Sequence, residues 1–136
     1  MPIFAVIDTN VIVSALLSTK DDSATVQVIE KVFRKEIIPI YSDIIFREYI
    51  NVLNRPKFHF SKNLIDYILL AIENFGTLKD VEENDSIVLP DMKDAPFYRL
   101  FAKKDGAYLI TGNIKHFPQD PRILTARQFI DNLKSK

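Results

Sequence analysis

The amino-acid pattern predicts an α/β fold, a central parallel sheet of about five strands between layers of helices. Two short apolar runs carry this reading first. Ile3 to Ile7 stops at Asp8 and Ala107 to Thr111 stops at Gly112, and both have the unbroken hydrophobicity of strands buried on two faces. Between such runs lie segments of helical period, and strands joined by crossover helices imply a parallel sheet with helices on both faces. The length of 136 residues, 47% of them hydrophobic, allows one core and no more, so residues 1–136 are expected to form a single domain.

After the first strand, Val11 to Leu17 reads as a short apolar helix. Asp22 or Ser23 can cap a second, with Val26, Ile29, Val32 and Phe33 as its inner face. Ile37 to Tyr41 is a strand that can hold Pro39 only near a start or an edge. Ser42 caps a third helix running through Asn54, with Ile45, Tyr49, Val52 and Leu53 inward, and Arg55-Pro56 ends it. Ser61 caps a fourth, with the stripe Leu64, Ile65, Ile68, Leu69 and Ile72, and Gly76 stops it. Thr77 to Val81, or Ile87 to Leu89, supplies a weaker strand. Asp94 opens a fifth helix to Lys104 with Pro96 in its first turn. Arg122 to Leu124 is a short strand after Ala107 to Thr111, and Thr125 caps a last helix through Leu133.

Composition narrows function only by exclusion. The absence of cysteine rules out disulfides and thiolate metal sites and suits a reducing cytoplasm. The opening Met-Pro-Ile-Phe-Ala-Val-Ile-Asp reads as neither signal peptide nor membrane span. Eighteen basic residues cancel eighteen acidic ones, so a nucleic-acid partner would have to be held by local basic patches and a metal rather than by net charge.

Ligands of parallel α/β sheets bind beyond the carboxyl ends of the strands. That rule points to Asp8-Thr9-Asn10 after the first strand and to Thr111-Gly112-Asn113 after the strand at Ala107. Each acid also has a plainer reading. Asp8 can cap the helix that follows it, with Thr9 or Asn10 sharing the task, and Asp94 can do the same for its own helix. Glu48 can be a surface glutamate beside Arg47 or Asn51, and Asn113 beside Gly112 can fill a turn. Asp91, one turn before Asp94, is superfluous for simple capping but useful for holding a metal or its waters. Together these residues offer several oxygen ligands. The two histidines, His59 and His116, share no ligand spacing and read as structural, with His116 an outside candidate for touching substrate. Oxygen donors favour Mg²⁺ or Mn²⁺ over Zn²⁺.

The motifs Val6-Ile7-Asp8-Thr9-Asn10-Val11, Ser42-Asp43-Ile44-Ile45-Phe46-Arg47-Glu48-Tyr49 with Val52-Leu53-Asn54-Arg55-Pro56, Asp91-Met92-Lys93-Asp94, and Tyr108-Leu109-Ile110-Thr111-Gly112-Asn113 with Lys115-His116-Phe117 occur in order along nearly the whole chain. In these the chain resembles PIN-domain proteins, in particular the subgroup assigned as toxins of toxin–antitoxin pairs. The resemblance implies a three-layer α/β/α fold and metal-dependent cleavage of single-stranded RNA. It places Asp8, Glu48 and Asp94 on the three central acids, Asp91 on an accessory acid, and Asn10 and Thr111 on positions that arrange the pocket. It further implies Mg²⁺ or Mn²⁺ held by Asp8 and Asp94 with Glu48 and Asp91, an antitoxin protein as partner, a homodimer, and a cytoplasmic location without membrane attachment.

The chain departs from the subgroup's pattern at Asn113, where a fourth acid is expected. Asparagine offers a metal a neutral oxygen and removes one charge, so a second ion becomes harder to hold. Lys20, Lys57, Lys103, Lys104 and Lys115 are the candidate phosphate contacts.

Three rivals stand beside this reading. One is a PIN scaffold, weak or inactive in catalysis, that binds RNA or a protein. A second is a haloacid-dehalogenase-type phosphatase, which would need a second acid where Asn10 stands. The third is a response regulator, which would need an acid pair at the first strand.

Overall fold

A computed structural model describes residues 2–82 and 86–135 of the chain. Its five strands form one all-parallel sheet: β1 (Ile3–Ile7), β2 (Ile37–Tyr41), β3 (Thr77–Leu78), β4 (Tyr108–Ile110) and β5 (Ile123–Leu124), in the spatial order β3-β2-β1-β4-β5. The six α-helices are α1 (Thr9–Leu17), α2 (Ala24–Phe33), α3 (Asp43–Leu53), α4 (Lys62–Phe75), α5 (Ala95–Lys103) and α6 (Ala126–Lys134). The result is a three-layer α/β/α sandwich, in which α2 packs on β2 and joins α1 and α6, while α5 lies against β1 and β4.

The strand order sets where a ligand can sit. The chain runs outward from β1 through β2 to β3, then returns to the other side of β1 for β4 and β5. The reversal falls between β1 and β4, and crevices at such switch points are where open parallel sheets bind ligands. Ala5 pairs with Tyr108 and Ile7 with Ile110, so Asp8 and Thr111 leave the sheet side by side at that crevice. The core beneath it is apolar and closed: Val6, Ile7, Ile12, Leu100, Leu109 and Ile110 are all buried.

Capping chemistry explains most of the helix starts. Ser23, Ser42, Ser61 and Thr125 each accept a backbone N–H from the first turn of α2, α3, α4 and α6, and Thr125 forms a reciprocal capping box with Gln128. The inner faces shift slightly from the pattern expected. In α2 the buried residues are Val28 and Val32, with Val26, Ile29 and Phe33 half-buried, and in α3 Val52 is half-buried beside the buried Ile45, Tyr49 and Leu53.

Two expectations change at the sheet edge. The third strand is only Thr77–Leu78, both exposed, and the ladder ends one bond further on where Lys79 N–H donates to the Tyr41 carbonyl at 2.9 Å. Ile87 to Leu89 forms no strand; Leu89 is buried and its N–H meets Met92 Sδ at 3.4 Å. The short β3 also accounts for Pro39, which lies in an inner strand. Pairing with β3 begins only at Ile40, so on that side β2 is still an edge at Pro39, whose missing N–H leaves no partner unbonded.

Gly76 makes the turn from α4 into β3 possible. A Cβ there would lie 2.4 Å from the Ile72 carbonyl oxygen and 2.6 Å from that of Pro39, both backbone atoms that cannot swing aside. Gly76→Ala should therefore destabilise the protein by about 1–3 kcal/mol, the cost of overpacking a closed region. A urea titration would show it as a lowered midpoint, and an unchanged midpoint would contradict the crowding.

Candidate metal centre and active site

The acids at the crevice are not spent on capping. Asp8 occupies the N-cap position of α1 and Asp94 that of α5, yet neither side chain makes a capping hydrogen bond. Each is held instead by a neighbour distant in sequence. Thr111 Oγ1 donates to Asp8 Oδ2 at 2.7 Å, and His116 Nδ1 lies 3.0 Å from Asp94 Oδ2. Glu48 follows the same plan: it is half-buried on α3 and accepts a short hydrogen bond from the hydroxyl of Thr9. It is therefore not the solvated surface glutamate of the plainer reading, and Thr9 is not spent on capping. Asp91 does cap, contrary to expectation, because a 3₁₀ turn over Met92–Asp94 precedes α5 and Asp91 accepts the Lys93 N–H at 3.0 Å.

Supporting bonds fix the crevice walls. The Asp8 N–H donates to the Ile110 carbonyl at 2.9 Å, and the fully buried Tyr49 donates its hydroxyl to the Ile7 carbonyl. Gly112 N–H donates to Asn10 Oδ1 at 3.1 Å, which ties the loop after β4 to the start of α1. Thr111 is buried and acts twice, donating to Asp8 while its hydroxyl oxygen accepts the Asn113 N–H at 3.1 Å. Asn113 is exposed and makes no side-chain capping bond, so its carboxamide is not committed to the turn.

Asp8 carries the electrostatic signature of the site. Burial raises its carboxyl from the usual 3.8 to about 6; the Thr111 hydrogen bond opposes the rise, and the negative charges of Asp94 and Glu48 add to it. The same surroundings push the Tyr49 phenol upward, by burial first and then by Asp8 and Glu48. Among the described residues, lysines and arginines form ion pairs with Glu30, Glu36, Asp66 and Asp131. A buried carboxylate facing two like charges suits a divalent cation, which would offset that repulsion.

Among the described residues, one group of three brings ligand atoms within 4.8 Å of one another: Asp91, Asp94 and His116. Asp94 and Glu48 are both within electrostatic reach of Asp8, but neither Asp8 nor Glu48 completes a triple at that spacing. His116 is thus the residue that sequence reasoning undervalued, since its 22-residue separation from Asp94 matches no ligand spacing along the chain. The lysines also sort by place. Lys104 covers the Phe4 ring at 4.5 Å, beyond the opposite end of α5 from Asp94, whereas exposed Lys115 adjoins His116.

Beside the acids, a cavity of about 550 Å³ opens past Asn10, Thr111 and Asn113. Ser14, Ser23, Thr25 and Thr125 line it, and Arg127 supplies its one charge. An acidic centre with an adjoining groove of hydroxyls, at the switch point of a parallel sheet, defines a class of site: one suited to a divalent metal and a polar substrate. The family model described as PIN domain matches residues 5–115, most of the chain, and the protein belongs to that family. PIN domains are generally metal-dependent nucleases, and nuclease-type hydrolysis is the activity that membership implies. Comparison with curated proteins and with solved structures gives no significant match. No helix among the described residues is long and apolar enough to cross a membrane.

The raised Asp8 carboxyl predicts an inverted pH effect on the metal-free protein. Between 3.8 and about 6 the folded state holds a proton that the unfolded state releases, so stability falls as pH rises through that window. The full loss, roughly 3 kcal/mol for a shift of about two units, is in place above pH 6. Asp8→Asn keeps an acceptor for Thr111 and removes the charge. In EDTA it should match or fall below wild type at pH 4 and exceed it at pH 7.5 by up to that amount. Thermal melts of both forms at the two pH values would check this; a stability difference independent of pH would count against the burial of charge at Asp8.

Proposed function

We propose that this protein is a metal-dependent endoribonuclease that cleaves single-stranded RNA and serves as the toxin of a toxin–antitoxin pair. The observation that carries the reading is the set of three acids, Asp8, Glu48 and Asp94, each held through one oxygen by a dedicated neighbour at the β1/β4 crevice. Were Asp8 and Asp94 needed only for folding, they would be spent on the helix caps they occupy, and Glu48 would be free in solvent. A bound divalent ion supplies Lewis acidity toward a phosphate oxygen and a water of lowered pKa. Asp8 and Asp94 would hold it, with Asp91 and the Asn113 carboxamide at the margin and Mg²⁺ or Mn²⁺ as the ion.

The chain's own part is placement. Thr111 keeps Asp8 turned to the crevice, and Asn10 holds the loop that carries Asn113. Thr9 fixes Glu48, whose other oxygen can orient and take a proton from the attacking water. The hydroxyl-lined groove and Arg127 offer donors to a strand's sugars and phosphates, and exposed Lys115 next to His116 offers another. Single-stranded RNA fits such a groove because its sugars carry hydroxyls and its bases are free of a duplex. Partnership with an antitoxin, a homodimeric state and a cytoplasmic location belong to the toxin proposal; exposed Tyr67 and Leu70 on α4 are apolar surface for such contacts.

One observation favours a second reading, an inactive PIN scaffold that binds RNA or a protein. Asn113 stands exposed and uncharged where the subgroup has an acid. Two measurements decide. Labelled single-stranded RNA should be cut with Mn²⁺ and left whole with EDTA, and Asp8→Asn or Asp94→Asn should each abolish the cleavage in a protein that still folds. Full activity in either variant would remove the site assignment, and no cleavage of any RNA by wild type would leave the scaffold. Asn113→Asp should then raise Mn²⁺ affinity by roughly tenfold, about 1.4 kcal/mol, through one further charge near the cation. Isothermal titration calorimetry would read that change, and an equal or weaker affinity would place Asn113 outside the ion's reach.

A further inference from the structure

We propose that His116 is a metal ligand, and that with Asp91 and Asp94 it makes a mixed nitrogen–oxygen site selecting Mn²⁺ over Mg²⁺. The inference deepens the nuclease reading, on which it rests, by naming the ion-binding chemistry of the same site.

The geometry has three parts. The ligand atoms of Asp91, Asp94 and His116 all lie within 4.8 Å of one another, a spacing that no other three such residues reach among those described. His116 Nδ1 is 3.0 Å from Asp94 Oδ2. That is a hydrogen-bond length, and it is also the separation of two neighbouring ligands on an octahedral ion with bonds of about 2.1 Å, whose edge is about 3 Å. Accommodating an ion therefore requires little movement of either side chain. In the neutral tautomer with its proton on Nε2, the Nδ1 lone pair replaces the N–H that otherwise faces Asp94.

Local structure keeps these residues where an ion can reach them. Asp94 is free of capping duty because the 3₁₀ turn before α5 is capped by Asp91. His116 ends a second 3₁₀ turn, Ile114–His116, that follows the Thr111-Gly112-Asn113 loop, and the next residue, Phe117, is buried and anchors it. The side chain of His116 is 40% exposed and that of Asp94 17%, so the pair stands at the rim of the crevice, open to solvent and ions.

Nitrogen decides the ion. Carboxylates suit Mg²⁺, Ca²⁺ and Mn²⁺ alike, whereas imidazole is a transition-metal ligand that Mn²⁺ accepts more readily than Mg²⁺, which gives up its waters reluctantly. Asn113 in place of an acid lowers the negative charge of the pocket, and His116 gives it a donor that Mg²⁺ uses poorly. Manganese gains from the change.

The test is Mn²⁺ and Mg²⁺ binding by wild type and His116→Gln, read by calorimetry, with electron spin-echo spectroscopy of bound Mn²⁺. Glutamine keeps polarity and cannot offer a ring nitrogen; the exposure of His116 leaves the fold intact, checked by thermal melting. Wild-type Mn²⁺ should show the modulation of a directly bound ¹⁴N, and the variant should lose it. Mn²⁺ affinity should fall tenfold or more and Mg²⁺ affinity by less than threefold. Retention of the nitrogen signal in the variant, its absence from wild type, or equal loss of both ions would overturn the assignment and reduce His116 to a residue that positions Asp94. The two readings fail separately. RNA cleavage with Mn²⁺ but no nitrogen coupling defeats the ligand and spares the nuclease; nitrogen coupling without cleavage of any RNA defeats the nuclease and spares the ligand.

Discussion

The carboxylate of Asp8 is buried at the end of the central strand, and the surrounding structure is organised by what that burial demands. A buried charge needs a hydrogen-bond donor or a counter-ion. The parallel register of β1 and β4 brings Thr111 alongside to supply the donor, and the Asp8 amide is bonded to the same strand's end. Satisfying one oxygen by a neutral hydroxyl leaves the charge itself unanswered. Its carboxyl is raised to about 6 for that reason, with burial outweighing the hydroxyl.

The other two acids repeat this arrangement at lower burial. Thr9 holds Glu48 and His116 holds Asp94, so each carboxylate is aimed by a neighbour that adds no formal charge of its own when the imidazole is neutral. Had an arginine or lysine held any of them, the pocket would be neutralised from within and a cation would gain little by entering. Residues 8 and 9 serve opposite walls, Asp8 reaching to β4 through Thr111 and Thr9 to α3 through Glu48. A single dipeptide at the end of β1 thereby couples the loop after β4 to the third helix, and Tyr49 adds a bond from that helix to the Ile7 carbonyl just before it.

How much of this the sequence discloses follows from the range of each interaction. The strands at Ile3 and Ile37, all six helices and the serine or threonine caps rest on contacts within a few residues, and periodicity and capping preference read them directly. The edge strand ends sooner than its residues suggest because its ending depends on what pairs beside it. The capping role of Asp91 is not legible, because the 3₁₀ turn it caps has no periodic signature. Asp8 and the Thr111-Gly112-Asn113 loop, at the ends of β1 and β4, are legible as candidates from the switch-point rule. Thr9 to Glu48 and His116 to Asp94 are not, since they join residues 39 and 22 apart whose proximity exists only once the sheet has closed.

Family membership constrains the class of reaction, and the chain's own departures tune it. A PIN domain with a full set of acids concentrates negative charge where a phosphodiester must also approach. Here Asn113 is uncharged, and an imidazole stands against Asp94. The uncharged Asn113 lowers the repulsion that a phosphodiester meets, and the imidazole beside Asp94 suits a purely oxygen-seeking ion less well. A net charge of zero over the chain fits that balance, because it supplies no long-range attraction for a polyanion. Capture would then depend on contacts made at the groove itself, with hydroxyls at Ser14, Ser23 and Thr25 and the guanidinium of Arg127 beside the centre. Such binding would be less sensitive to salt than that of a basic nuclease, since few phosphates are neutralised by lysine or arginine, and more sensitive to the shape of the strand.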